Sequence, residues 1–365
     1  MGAIQALLAF IVVIGVVVVV HELGHFLAAR AVGIRVERFS VGYPPRLFGK
    51  KIGDTDYCIS ALPLGGYVKM AGMIDESMDN PEKITGAPDE FMSKNFFQKA
   101  LVICAGVIMN FLLAWAIYSG VTYSQGIGEA TVPRIDGVSE GMPAAAAGLQ
   151  SGDLILEVDG QPVATWDELS ALVRARPEEP LEIVWERDGA RQSAVVTPQR
   201  EKLPVNGEIV EVGLIGIAPM VTVRPAGLGE SIATGLENVK HGLQLGLTTI
   251  GALFKGDAGV KDLGGPVFIA KLSADSAKGG PLALLVFIAF ISVNIGFLNI
   301  LPIPVLDGGH LVLITLEAVA RRPIPTKVKL GIQQFGMIGL LVLMAVIFFN
   351  DIGRFGLWSK ISNLF

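Results

Sequence analysis

The sequence predicts a multi-pass α-helical membrane protein: four transmembrane helices, a membrane-associated β-hairpin or small sheet, and one inserted α+β domain. Three observations carry that prediction. Four long stretches are almost free of charge. The 365 residues are 51% hydrophobic and only 17% charged, against about 25% charged in an ordinary soluble domain. A block with strand-like apolar alternation separates the second uncharged run from the third. Mean hydropathy is +0.55, so membrane lipids are the expected surroundings. The net charge of −5, from 29 basic against 34 acidic residues, lacks the basic surplus of a nucleic-acid binder, and no nucleic-acid partner is expected. Two cysteines, Cys58 and Cys104, are too few for a disulfide framework.

The first run, Ala3 to Val20, contains 18 residues with Gln5 as its strongly polar member. At 1.5 Å per residue it nearly crosses a hydrocarbon core of about 30 Å. No basic segment precedes it and no small-residue cleavage site follows, so it reads as a retained span. Apolar character resumes after His21-Glu22-Leu23-Gly24-His25 and continues to Val32. Ala100 to Tyr123 carries no charge. Pro281 to Leu306 is also uncharged, interrupted by Asn294, Asn299, Pro302 and Pro304, and Gly331 to Phe349 completes the set. Leu243 to Phe254 is too short to span and reads as an interfacial or packed helix.

Basic residues orient these spans. Arg30, Arg35, Arg38, Arg46, Lys50 and Lys51 follow the first, and Arg321, Arg322, Lys327 and Lys329 lie between the third and fourth. Both clusters are expected in the cytoplasm, which puts Ser124 to Gly280 outside. Within that outer region, Glu129 to Arg200 reads as short strands and one helix, Trp166 to Arg176, with hairpin turns at Asp159-Gly160 and Asp188-Gly189. The run from Ala144 to Asp153, AAAAGLQSGD, resembles the stretch that opens the central strands of PDZ domains, and it occurs once. Asp75 to Glu90, with several acids and two prolines, reads as a solvated cytoplasmic loop.

The polar residues inside the spans carry the chemistry. His21 and His25 are four apart, so one helix face presents both imidazoles to one metal ion. Glu22 stands beside them as a general base toward a metal-acidified water. Ionisable groups within an apolar run are costly and therefore point to function. A third protein ligand must come from elsewhere. The first and third spans run in the same direction, which brings Asp307 to the depth of the histidine pair; His310 is close enough to compete, and His241 falls on the outer side. The prolines at 302 and 304 break the helix and free carbonyls, which at membrane depth requires a protein-lined or wet cavity. Asn299 is placed to donate to a carbonyl oxygen as charge develops on it, and Asn294 to hold the substrate backbone.

HELGH at the end of a first span, with NILPIPVLDGG from Asn299 to Gly309, resembles the site-2 protease family of intramembrane zinc metalloproteases, and within it the bacterial RseP-like branch of envelope-stress regulators. Leu64 to Met70, Gly106 and Asn110, and Leu263 to Val267 extend the likeness over nearly the whole chain. The resemblance implies a Zn2+ ion held by His21, His25 and Asp307, a water activated by Glu22, and Asn299 in transition-state binding. It also implies that Leu64, Gly65, Gly66 and Tyr67 belong to a membrane-re-entrant hairpin. An exposed strand edge there would hold an unwound substrate segment extended. The best-known members of the branch carry two tandem PDZ domains where this chain has one; the domain is expected to bind peptide, to exclude substrates with large ectodomains, or both.

The implied activity is an endopeptidase that cleaves transmembrane segments of single-pass proteins in regulated intramembrane proteolysis. Anti-sigma factors are the implied substrates, with remnant signal peptides as a second class. The implied location is the bacterial inner membrane, with the PDZ domain periplasmic. A PDZ scaffold with a vestigial site and a cation transporter are the rival readings; the intact motif set and the lack of an inverted repeat speak against them. The expected division is a first helix in 1–32, a cytoplasmic and re-entrant β region in 33–99 and a second helix in 100–123. The PDZ domain follows in 124–204, a linker with amphipathic helices in 205–280, and the third helix with its zinc ligand in 281–310. A cytoplasmic connection, fourth helix and tail occupy 311–365.

Overall fold

Five consecutive valines, Val16 to Val20, favour strand in water, yet they form the middle of helix α1 (Ala3–Ala31). An apolar environment explains the choice: a helix satisfies its backbone hydrogen bonds within one segment. The computed structural model describes residues 3–73, 85–205, 208–259 and 263–354. Among the described residues, four helices are long and apolar enough to cross a membrane: α1, α2 (Phe96–Gln125), Pro281–Ile300 and Thr326–Arg354. The chain divides into two units, one of residues 1–119, 232–246 and 258–365, the other of residues 120–231 and 247–257.

In the first unit, α1 is followed by strands β1 (Val36–Ile52) and β2 (Thr55–Met70). Their register places Arg38–Val41 against Gly66–Lys69 on one side and Asp56–Ile59 on the other, while Arg46–Ile52 pairs with Thr55–Ser60. Two strands thus fold into four stretches, with residues 66–70 at one edge, and no third strand joins that edge among the described residues. The turn lies at Gly53-Asp54. Thr55 anchors the sheet by donating its hydroxyl to Val36 O at 2.8 Å. Ala29, Ile34, Val36, Val68 and Met70 then pack with Val102 and Ile103 of α2.

The second unit opens with β3 (Ile127–Glu129), β4 (Ile135–Val138) and the short helix α3 (Pro143–Ala146). A four-stranded sheet of β5 (Leu154–Val158), β6 (Gln161–Pro162), β7 (Leu181–Arg187) and β8 (Ala190–Val196) has the order β6-β5-β7-β8. Helix α4 (Trp166–Arg174) starts with a capping box between Thr165 and Glu168. Asp159 and Asp188 take positive φ before Gly160 and Gly189, as the hairpin turns require. The core gathers Ile135, Ile155, Leu169, Leu181, Ile183 and Trp185.

The expected domain end at residue 204 falls within β9 (Gln199–Val205), which pairs with β10 (Glu208–Leu214). Beyond them β11 (Ile217–Pro219) returns to β4, and β12 (Thr222–Arg224) to β3. The block therefore extends past 224, because its first strands find their partners there.

Helix α5 (Leu228–Lys255) is far longer than the apolar stretch 243–254 suggests. Within the first unit, its Val239 packs with Ala114, Ala289 and Val293. Helix α6 (Pro266–Lys278) precedes α7 (Pro281–Ile300), α8 (Asp307–Ala320) and α9 (Thr326–Arg354). Val13 and Val17 of α1 pack on Phe287, Ile288 and Ile291 of α7. Asp351 of α9, fully buried, accepts from the backbone N–H of Phe268 at 3.0 Å and so caps α6. The expected third helix of 281–310 is two helices: α7 stops at Ile300, and Asp307 begins α8.

Candidate metal centre

His21 and His25 lie on one face of α1, buried, with their rings edge to face at 4.8 Å between centroids. Asp307 meets them from the first turn of α8. Its Oδ2 lies 3.2 Å from His21 Nε2 and its Oδ1 3.5 Å from His25 Nε2. The two Nε2 atoms are 3.2 Å apart, and one ligand atom from each of the three residues lies within 4.8 Å of the others. His25 Nδ1 donates to Val102 O at 2.8 Å, which leaves its Nε2 as a lone pair. Asp307 Oδ2 is buried without a hydrogen-bond partner. A carboxylate oxygen buried in that way costs several kcal/mol unless a cation compensates it. Two imidazole nitrogens and a carboxylate converging on one point are the donor set of zinc. The residues present fit the ion.

The helix break before Asp307 sets its position. Pro302 and Pro304 withdraw two backbone donors, and Val305 holds φ 86°, a conformation that a β-branched residue adopts at about 1–3 kcal/mol. A Cβ on Gly308 would run into the carbonyls of Ile300 and Leu301. Glycine there lets the first turn of α8 press against the end of α7, which delivers the Asp307 carboxylate to the histidines.

A cavity of about 620 Å³ opens on these groups, lined by His21, Glu22, His25, Asn299 and Asp307 and by the 65–70 sheet edge. Gly65, Gly66 and Tyr67 line it; the side chain of Leu64 lies outside the described residues. Glu22 lies against that edge: a Cβ on Gly66 would stand 3.3 Å from its Cγ. Asn299 Nδ2 lies 3.4 Å from His21 Nε2. Asn294 is not brought to the cavity: its amide donates to Phe290 O at 2.7 Å, one turn back on its own helix. His310 lines the cavity but stands outside the three-residue donor group. Part of the 75–90 loop lies outside the described residues; at its end Glu90 is buried and accepts from Thr85 Oγ1 at 2.7 Å rather than facing solvent.

Sequence reasoning named Gly106 and Asn110 within the family likeness but gave α2 no role at the site. Val102, Gly106 and Asn110 recur at intervals of four and share one helix face. The Val102 carbonyl accepts a hydrogen bond from His25 Nδ1–H. A Cβ on Gly106 would overlap both imidazoles, and the fully buried Asn110 amide lies 3.2 Å from His21 Nδ1. The visible signal was a polar residue within an uncharged span. Arg38 and Tyr67, joined at 2.9 Å, also line the cavity, and Tyr43 stacks on Tyr67.

The sequence profile of peptidase family M50 matches residues 9–343. Among similar curated proteins, a Mesorhizobium japonicum protein named as a zinc metalloprotease is 35% identical, over 95% of this chain and 98% of its own length. The zinc metalloprotease RasP of Geobacillus kaustophilus is 30% identical, over 96% of this chain and 98% of its own. Among solved structures, the PDZ domain of an SdrC-like protein from Listeria innocua matches at 22% identity with a TM-score of 0.21, covering 26% of this chain and 99% of that one.

Proposed function

Because the chain belongs to peptidase family M50, the site-2 proteases, and is a zinc metalloprotease, we propose that it hydrolyses peptide bonds inside the transmembrane segments of single-pass membrane proteins. His21, His25 and Asp307 hold the zinc. When bound, the ion supplies Lewis acidity, which makes water nucleophilic near neutral pH. Glu22 takes the proton from the attacking water and returns it to the departing amide nitrogen. Asn299 donates its amide N–H to the substrate carbonyl oxygen as negative charge grows there. The substrate is extended as it reaches these groups: its backbone pairs with the edge at residues 66–70, which lines the same cavity as Glu22.

The convergence of His21, His25 and Asp307 within 4.8 Å on a cavity that also contains Glu22 carries this reading. Anti-sigma factors trimmed by an earlier protease, and remnant signal peptides, are the proposed substrates. The proposed setting is the bacterial inner membrane, with a PDZ domain formed by the second unit on the periplasmic side. That orientation rests on the basic clusters at 30–51 and 321–329. The test is Glu22→Gln in detergent with a single-pass peptide. Zinc content should be unchanged while cleavage falls by about 10²–10⁴-fold, the span of general-base catalysis. Cleavage at the wild-type rate would remove Glu22 from the mechanism.

A further inference from the structure

Asn110 stands on the far side of His21 from the metal position, and its role depends on which ring nitrogen carries the proton. His21 Nε2 is the nitrogen that faces Asp307 and His25. An imidazole that coordinates through Nε2 must carry its hydrogen on Nδ1, and the Asn110 amide is the neighbour of that atom, at 3.2 Å. As placed, the amide nitrogen faces Nδ1, while Asn110 Oδ1 is buried without a partner. Two N–H groups cannot bond to each other. A half-turn of the amide exchanges its oxygen and nitrogen, and Oδ1, which has no partner where it stands, does not choose between the two orientations. The tautomer of His21 does choose.

We propose that Asn110 is a positioning residue: its Oδ1 accepts the His21 Nδ1–H and thereby locks the ring for zinc coordination through Nε2. The arrangement mirrors that of His25, whose Nδ1 donates to Val102 O about two turns of α2 away along the same helix face. Outer partners of this kind fix ring orientation and ligand basicity. Asn110 is itself held: the Ser292 hydroxyl of α7 donates to Asn110 O at 2.8 Å, and both residues are fully buried. Three helices therefore meet in one line, from Ser292 through Asn110 to His21. Without zinc, the opposite orientation satisfies the same atoms, with Asn110 Nδ2 donating to Nδ1 and His21 Nε2–H to His25 Nε2.

This inference rests on zinc being held by His21, His25 and Asp307, and the test separates the two. Zinc affinity is measured on the full-length chain in detergent by competition with a chromophoric chelator. Asn110→Leu, which cannot accept, should weaken zinc by about 10–100-fold. Asn110→Asp, which can only accept when ionised, should hold zinc close to wild type. Equal loss in both variants, or wild-type affinity in Asn110→Leu, overturns the proposal. Should Asn110→Leu fail to fold, 15N spectra of zinc-loaded wild type labelled at histidine still decide, with His21 assigned by difference from His21→Gln. Nδ1 is expected protonated, and an unprotonated or metal-bound Nδ1 overturns the proposal. If His21→Ala retains a full equivalent of zinc, the ligand assignment fails instead.

Discussion

At Gly106 the helix α2 has no side chain, and the two imidazoles fill the space that a Cβ would take. Gly106→Leu should push both rings off their common point, lowering zinc affinity by about 10-fold or more and stability by about 1–3 kcal/mol through overpacking. Chelator competition and thermal unfolding in detergent check the two effects separately. Wild-type zinc affinity in this variant would show that the rings do not depend on the gap. His21, Glu22 and His25 were legible because the motif fixes their spacing on one helix. Asp307 was legible because the first and third spans run in the same direction, which brings it to the depth of the histidine pair. Gly106 and the carbonyl of Val102 were not legible in these roles. A helix that is apolar all round shows no preferred face, so the rotation of α2 toward the histidines appears only once the helices are packed. Asn294 misled for the same reason: a polar residue in a span can satisfy itself on its own helix, as its bond to Phe290 O shows.

Among the elements, the small sheet beside the cavity departs most from what the sequence suggests. Pro44 and Pro45 argue against strand pairing, and β1 accommodates them where its register shifts between Tyr43 and Arg46. Its neighbour in space, the Glu90 corner, is a second surprise. Thr85 and Gly86 donate to the Glu90 carboxylate through one hydroxyl and two backbone N–H groups. These bonds hold its pKa below the ordinary carboxylate value. A depressed folded-state pKa means the stabilisation is present above the ordinary glutamate value, near pH 4.3, and is lost as pH falls below it. Thermal unfolding at pH 7 and at pH 4 should therefore differ less in Glu90→Gln than in wild type. An identical acid sensitivity would mean that this carboxylate carries none of it. The break between α7 and α8 was legible from two prolines, but its second half was not. Gly308 shows its purpose only when the carbonyls of Ile300 and Leu301 are seen beside it.

For the whole molecule, composition and four uncharged runs were enough to forecast the membrane helices, since lipid leaves the backbone few alternatives. The extent of the second unit was not forecast, because β11 and β12 close it by pairing with strands about 80 residues or more away in sequence. Orientation across the bilayer is a separate expectation with its own test. In intact spheroplasts, an impermeant maleimide should label a cysteine introduced at exposed Glu140 and spare one introduced at exposed Lys327. The reverse pattern would invert the assignment of sides. The edge stretch at 66–70, which no third strand joins among the described residues, has a practical corollary. Blockers of this centre should be drawn as flat, elongated backbone mimics that carry a chelating head group, and lengthening them along the strand direction should improve potency more than stabilising a helical shape would.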